Sequence, residues 1–187
     1  MKRILVNLLC IALLSACGKK EVKEAGSLFT RLKPAETGIT FSNRLTENDS
    51  LNYFTYAYMY MGGGVAAGDF NNDGLTDLYF TGNMVPNKLY LNQGSLKFED
   101  ITKTAGLAGS NKWYTGVTIA DVNADGYLDI YCSVGGKFGP RSNELYINNG
   151  DLTFTERAKE FGDVMAMGIV FRVLFLITTL TETLICL

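Results

Sequence analysis

The stretch that decides the fold reads G-D-F-N-N-D-G-L-T-D-L-Y at residues 68–79, and it returns as A-D-V-N-A-D-G-Y-L-D-I-Y at residues 120–131. The residues downstream repeat in the same order. N-K-L-Y-L-N-Q-G at residues 87–94 returns as N-E-L-Y-I-N-N-G at residues 143–150. Self-similarity at a period of about 50 residues is typical of repeat architectures in which each repeat is one supersecondary unit. The chain therefore contains two copies of one such unit.

Each copy is predicted to form four β-strands. Short apolar segments flank the acidic stretch, a third apolar segment ends at an Asn- and Gly-containing turn signal, and a more polar segment completes the unit. The predicted strands are 65–67, 78–81, 89–91 and 96–101 in the first copy, and 117–119, 128–133, 145–147 and 152–156 in the second.

Four strands of falling hydrophobicity in about 50 residues are typical of one propeller blade. We therefore predict an all-β fold, a partial β-propeller of about two four-stranded blades whose ring is not closed. The two expected blades cover approximately residues 62–105 and 114–160. A β-sandwich or a β-solenoid remains open as another antiparallel repeat.

The acidic stretch of each copy has the spacing of a calcium loop. Oxygen-bearing side chains occupy positions 1, 3, 5 and 9, and glycine occupies position 6, where the chain must reverse sharply. Ca²⁺ binds about six to eight oxygens, and the carbonyl of position 7 adds one more in such loops. The predicted ligands are Asp69, Asn71, Asp73, Leu75 and Asp77 for one ion, and Asp121, Asn123, Asp125, Tyr127 and Asp129 for a second.

Two other interpretations of these loops are an EF-hand and a polar turn without metal. An EF-hand requires a bidentate Glu at position 12 and flanking helices, whereas position 12 is Phe80 or Cys132 and both flanks are strands. A polar turn without metal remains open for a single copy, but the retention of all four side-chain ligands in both copies favours two Ca²⁺ sites. Their expected role is structural, because each loop joins one strand to the next.

The quoted blocks, with N-K-L-Y-L-N and F-E-D-I-T after the first, resemble FG-GAP/VCBS repeats. They are most similar to those of the lipoproteins and secreted proteins related to cartilage acidic protein, which often carry an ASPIC/UnbV domain. The resemblance implies a propeller of about seven blades, Ca²⁺ in the loops, and adhesion or ligand binding at the cell surface. The resemblance covers residues 28–162, which it implies are the repeat region, and it supplies no catalytic residue.

The N-terminus predicts a secreted lipoprotein. A basic start at 1–3 precedes an apolar run at 4–14, and Ser-Ala-Cys ends at Cys17. This arrangement resembles the bacterial lipobox, so we expect a signal peptide at 1–16, lipid on Cys17, and a polar tether at 17–27. The predicted location is the bacterial cell envelope, lipid-anchored at the outer membrane or cell surface. An ordinary signal peptide with a chance cysteine is the alternative.

Composition limits the classes of function. The formal net charge is −2, which predicts no nucleic-acid partner. The chain has no histidine, the commonest general base and metal ligand, so catalysis is not expected. The expected partners are the membrane, through the lipid on Cys17, and a glycan or protein ligand.

The segment 163–187 departs from the repeat. A third loop is due near residue 177, where the chain instead reads I-T-T-L-T-E-T-L-I-C-L. A suitable choice of codons, read one frame over, yields D-Y-D-F-D-G-D-L-D-M at that place. We therefore hypothesise that this apolar tail is a frameshifted third repeat. A membrane helix over 164–180, short and interrupted by Arg172, is the competing interpretation.

The sequence thus predicts a calcium-binding, non-catalytic cell-surface repeat module for adhesion or ligand binding. The alternative function is a scaffold segment of a larger secreted polysaccharide-processing enzyme, in which paired carboxylates could act without histidine. A purely structural envelope component, with no ligand beyond Ca²⁺, also remains open.

Overall fold

The computed structural model describes residues 29–161 except 111 and 138, and the backbone at 175–177 and 184–186. The chain divides into residues 1–32 and residues 33–187, and the fold lies in the second unit. The predicted signal peptide, Cys17, the tether and most of the apolar tail lie outside the described residues.

The first blade is a four-stranded antiparallel meander, as predicted. Strands β1 (Val65–Gly68), β2 (Asp77–Phe80), β3 (Lys88–Asn92) and β4 (Phe98–Asp100) pair in chain order. The β3–β4 turn contains Gly94 at φ 81°, which supplies the positive φ that the turn signal predicted.

The second blade repeats the meander with β5 (Tyr114–Ala120), β6 (Asp129–Val134), β7 (Glu144–Asn148) and β8 (Phe154–Glu156). Strand β6 is buried along its whole length, whereas β8 exposes two of its three residues. Burial therefore falls from the centre of the second blade towards its last strand. The all-β fold of two four-stranded blades is confirmed, and within the described residues neither sheet closes into a barrel.

One apolar core joins the two blades. Tyr79 and Leu89 of the first blade pack with Ile130 and Cys132 of the second, and all four are fully buried. Gly68 permits this approach, because a Cβ there would lie 2.5 Å from Cδ1 of Ile119. The blades consequently share a single core that depends on close contact between β1 and β5.

The structure also has three short helical segments that were not predicted. α1 (Pro34–Thr37) and a 3₁₀ helix (Met59–Met61) precede β1, and α2 (Thr102–Ala105) connects the two sheets. Before β1 the chain lies against the first blade. The Phe41 ring stacks on Phe80 at 5.0 Å between centroids, and the Thr40 N–H donates to the Tyr90 hydroxyl at 3.2 Å.

In the tail, β9 (Phe175–Ile177) pairs antiparallel with β10 (Leu184–Cys186). The strand at Phe175–Ile177 contradicts the competing interpretation of a membrane helix over 164–180 at those three residues. No helix within the described part of the chain is long and apolar enough to cross a bilayer. The hypothesis of a frameshifted third repeat stays a prediction.

Candidate functional site

The two acidic loops connect the first and second strands of their blades and have the same backbone shape. Gly74 and Gly126, at position 6, have φ values of 85° and 91°. Asn72 and Ala124, at position 4, also lie in the left-handed region, at 60° and 61°. Two left-handed residues two positions apart curl each loop tightly, as the sequence predicted for position 6 but not for position 4.

In the first loop, the side chains of positions 1, 3 and 5 hold the backbone of the curl. Asp69 accepts the N–H of Asp73 at 3.1 Å and the N–H of Gly74 at 2.7 Å. Asp73 in turn accepts the N–H of Leu75 at 2.8 Å, and the Asn71 amide donates to the Asp73 carboxylate at 2.9 Å. The side chains of Asp69, Asn71 and Asp73 are therefore directed into the loop.

The second loop repeats this pattern bond for bond. Asp121 accepts from Asp125 and Gly126 at 3.1 and 2.9 Å, and Asp125 accepts from Tyr127 at 2.9 Å. The Asn123 amide donates to Asp125 at 2.7 Å. The identity of the two networks indicates one loop design used twice.

The position-9 carboxylates, Asp77 and Asp129, join each loop to its blade and are buried. Asp77 accepts the N–H of Phe70 at 3.0 Å with one oxygen and the N–H of Asn92, at the end of β3, at 2.8 Å with the other. Asp129 does the same with Val122 and Asn148, at 2.9 and 2.8 Å. Position 9 thus ties the loop, the second strand and the third strand together.

The electrostatics of the loops favour a cation. Burial raises the pKa of Asp77; backbone N–H groups lower it, and the nearby Asp73 and Asp69 carboxylates raise it further. The pKa of Asp129 is raised in the same way. The ion pairs found among the described residues include none of the loop carboxylates. Each loop therefore concentrates three carboxylates without a neutralising lysine or arginine.

The donor set fits a hard cation such as Ca²⁺ in kind and in charge: three carboxylates, one amide and the position-7 carbonyl of Leu75 or Tyr127. The placement of the side chains is a separate matter. No three acidic or cysteine side chains in the described part of the chain are grouped closely enough to hold a metal ion as they stand. The oxygens of positions 1, 3 and 5 accept backbone N–H groups of the loop instead, so binding would require these side chains to rotate within a preformed backbone. Asp77 and Asp129 can keep their bonds to the strands, because each carboxylate oxygen has two lone pairs.

Sequence reasoning missed a buried polar cluster on the second blade. Glu144, at the start of β7, accepts hydrogen bonds from the hydroxyls of Ser110, Tyr114 and Tyr146. Lys112 completes the cluster at 3.0 Å from the Glu144 carboxylate, and its side chain is only 11% exposed. The repeat concealed this cluster, because Lys88 occupies the position of Glu144 in the first blade.

This cluster borders a surface pocket of about 420 Å³, which Glu156 and Lys159 also line. No buried polar side-chain atom among the described residues lacks a hydrogen-bond partner. Glu144 and Lys112 are already satisfied by each other and by their neighbours, so the cluster is best explained as a structural link between β5 and β7.

Comparison with known proteins agrees with the fold and the loops. Residues 69–132 match the family model of the FG-GAP-like repeat; this segment runs from position 1 of the first loop into β6. Cartilage acidic protein 1 from Xenopus tropicalis is 34% identical over 103 residues, which cover 54% of this chain. The aligned part spans only 16% of the length of that relative.

Proposed function

We propose that this chain is an extracellular repeat module for adhesion or ligand binding, that each of its two acidic loops binds one Ca²⁺, and that it catalyses no reaction. The observation that carries the proposal is the repetition of one hydrogen-bond network in both loops. The match to the FG-GAP-like repeat supports the same class of module.

The proposed role of the ion is to neutralise the loop carboxylates and hold the loop closed. Asp69, Asn71, Asp73 and the Leu75 carbonyl would hold one ion with Asp77, and the equivalent residues of the second loop would hold another. Because Asp77 and Asp129 also accept N–H groups from β3 and β7, a closed loop would stabilise the pairing of three strands. We expect affinities of about 10⁻⁴–10⁻³ M or somewhat tighter.

Calorimetric titration of the full chain with Ca²⁺ tests this proposal. We expect two equivalents to bind in the parent chain and one in Asp73→Asn and in Asp125→Asn. Asp49→Asn is the matched control, because it removes the same charge from an exposed loop outside both sites and should retain both ions. Absence of binding to the parent chain, or equal loss in the control, would contradict the proposal.

A scaffold role in a larger secreted polysaccharide-processing enzyme is the second candidate. The pocket that Glu156 and Lys159 line is the observation in its favour, because a carboxylate at a pocket could serve one of the two roles that glycosidic cleavage requires. Incubation with a glycan panel separates the two candidates. Retention without products supports a binding module, and products that disappear in Glu156→Gln would support the enzyme.

We also propose that lipid on Cys17 tethers the module to the bacterial cell envelope. The basic start, the apolar run and the Ser-Ala-Cys sequence support this proposal. Mass spectrometry of the membrane fraction should find a diacylglyceryl group on Cys17, and Cys17→Ser should release the chain into the soluble fraction. An unmodified Cys17 in a membrane-bound chain would exclude this anchor.

A further inference from the structure

Two side-chain amides connect the first acidic loop to the second blade across the blade boundary. The Asn148 side-chain amide donates to the carbonyl of Phe70, at position 2 of the first loop, at 2.8 Å. The Asn72 amide donates to the carbonyl of Gly126, at position 6 of the second loop, at 3.0 Å. Each loop therefore contributes a backbone carbonyl to one of these contacts.

The Asn148 contact forms part of a continuous path between the two position-9 carboxylates. Asp129 accepts the Asn148 N–H at 2.8 Å, and the Asn148 amide reaches the Phe70 carbonyl. The N–H of the same Phe70 donates to Asp77 at 3.0 Å. Asn148, through its backbone N–H and its side-chain amide, and the Phe70 backbone thus link Asp129 in the second loop to Asp77 in the first.

The residues equivalent to Asn148 and Asn72 in the other copy of the repeat do not bond across the blade boundary. Asn92, the equivalent of Asn148, donates from its side chain to the Thr76 carbonyl of its own blade at 2.8 Å. Asn148 makes the corresponding bond to Leu128 at 3.2 Å in addition to its bond to Phe70. Ala124, the equivalent of Asn72, has no amide. Asn92 and Ala124 therefore serve as internal controls for Asn148 and Asn72.

We infer that Asn148 and Asn72 are positioning residues that couple the two loops, so that a cation in one loop raises the affinity of the other. The inference rests on the calcium binding proposed above. A cation that fixes Asp129 also fixes Asn148, and through it the Phe70 carbonyl and N–H that set the start of the first loop. Coupling of this kind must be reciprocal.

Terbium luminescence can measure the second loop separately. Tb³⁺ stands in for Ca²⁺, and Tyr127 at position 7 is the sensitising ring, whereas the first loop has Leu75 there; Tyr127→Leu should abolish the signal. The coupling factor is the ratio of the second loop's Kd with the first loop disabled by Asp73→Asn to its Kd with the first loop intact. We expect a ratio of about 5 in the parent chain, which is the value of one net hydrogen bond.

The variants then locate the coupling. Asn148→Ala should lower the ratio most, because it removes the bond to Phe70. Asn92→Ala loses only bonds within its own blade and should leave the ratio at about 5. Asn72→Ala should lower the ratio partly. This variant should fold, because Ala124 already occupies the equivalent left-handed position. A ratio near 1 in the parent chain, or one that neither Asn148→Ala nor Asn72→Ala lowers, would overturn the inference.

Hydrogen exchange gives a readout that does not depend on affinity. In the Asp73→Asn chain, Ca²⁺ bound to the second loop should slow exchange of the Phe70 N–H, and Asn148→Ala should remove that protection. If the parent chain takes up no Ca²⁺ or Tb³⁺, calcium binding and coupling both fail. If it binds two ions independently and leaves Phe70 unprotected, only the coupling fails.

Discussion

Phe70 of the first blade meets Phe154 of the second edge to face, with ring centroids 6.1 Å apart. Phe70 is 1% exposed and lies at position 2 of the first acidic loop. Its N–H and carbonyl hold Asp77 and Asn148, while its ring fills the core between the blades. Phe70 therefore contributes both to the hydrogen bonding of the first loop and to the packing between the blades.

Phe70→Ala should lower the free energy of unfolding by about 3–5 kcal/mol, because it empties a buried aromatic site in the shared core. Urea denaturation followed by circular dichroism measures this change. Phe54→Ala is the matched control, since Phe54 is 96% exposed, and it should change stability by less than about 0.5 kcal/mol. Equal effects of the two substitutions would show that the core between the blades contributes little.

Gly126→Ala should lower the free energy of unfolding by about 1–2 kcal/mol, because φ is 91° at this position. A Cβ at Gly126 would meet no atom within 4 Å, so the loss would come from the backbone alone. Thermal unfolding without added Ca²⁺ measures it.

An alanine-to-glycine substitution at the other left-handed position of this loop, Ala124→Gly, should leave the free energy of unfolding unchanged or raise it slightly. Glycine adopts the positive φ of position 124 without the strain that alanine has there. A large loss of stability in Ala124→Gly would show that the curl of the loop is not governed by these two φ values.

Glu144→Gln should destabilise the fold by about 3–5 kcal/mol at neutral pH, because it leaves Lys112 buried without its partner. Burial alone would raise the pKa of Glu144, but hydrogen bonds from Ser110, Tyr114 and Lys112 outweigh burial and lower it. A lowered folded-state pKa contributes stability above the ordinary value of 4.5, and that stability is lost as the pH falls through the folded-state value.

The difference between the parent chain and Glu144→Gln should therefore shrink as the pH is lowered below about 4.5, which denaturation curves over a series of pH values can measure. Lys88→Met provides the control in the first blade. It breaks the more exposed Lys88–Asp100 pair and should change stability by less than about 1 kcal/mol. A difference that is independent of pH would exclude ionised Glu144 as the source.

Cys132 should not react with thiol reagents in the native state. Its thiol is free and fully buried, and burial, with the nearby Glu144 carboxylate, raises its pKa well above the ordinary range. In a chain with Cys10, Cys17 and Cys186 replaced by Ser, labelling at pH 8 should await global unfolding. Rapid labelling under native conditions would show that the blade interface opens locally.

The eight blade strands could be predicted from the sequence, because apolar segments alternate regularly with turn signals on both sides of each acidic loop. The prediction was wrong at the start of the fourth strand of each blade. The apolar pattern places Leu96 and Leu152 in strands, yet both have positive φ, at 58° and 64°, and belong to the preceding turns. An apolar side chain in a turn carries no periodic signal that distinguishes it from a strand residue.

The contacts across the blade boundary could not be predicted from the repeat. Asn92 and Asn148 are the same letter at equivalent places, yet only Asn148 has a neighbouring blade's carbonyl within reach among the described residues. The buried Glu144 cluster was hidden for the opposite reason, since it depends on a place where the two copies differ. A repeat pattern identifies only what its copies share. The Asn148 contact depends on the neighbouring blade, and the Glu144 cluster depends on a residue that differs between the copies.

The pairing of every blade strand with its neighbour in the chain has a consequence for how the protein is made. Every strand of the first blade has its pairing partner once residue 100 has left the ribosome, before β5 begins at Tyr114. A sheet with only local pairings forms early, and domains tend to fold from the N-terminus during synthesis. The first blade can therefore serve as a template on which the second assembles, with Tyr79 and Leu89 already in place to receive Ile130 and Cys132.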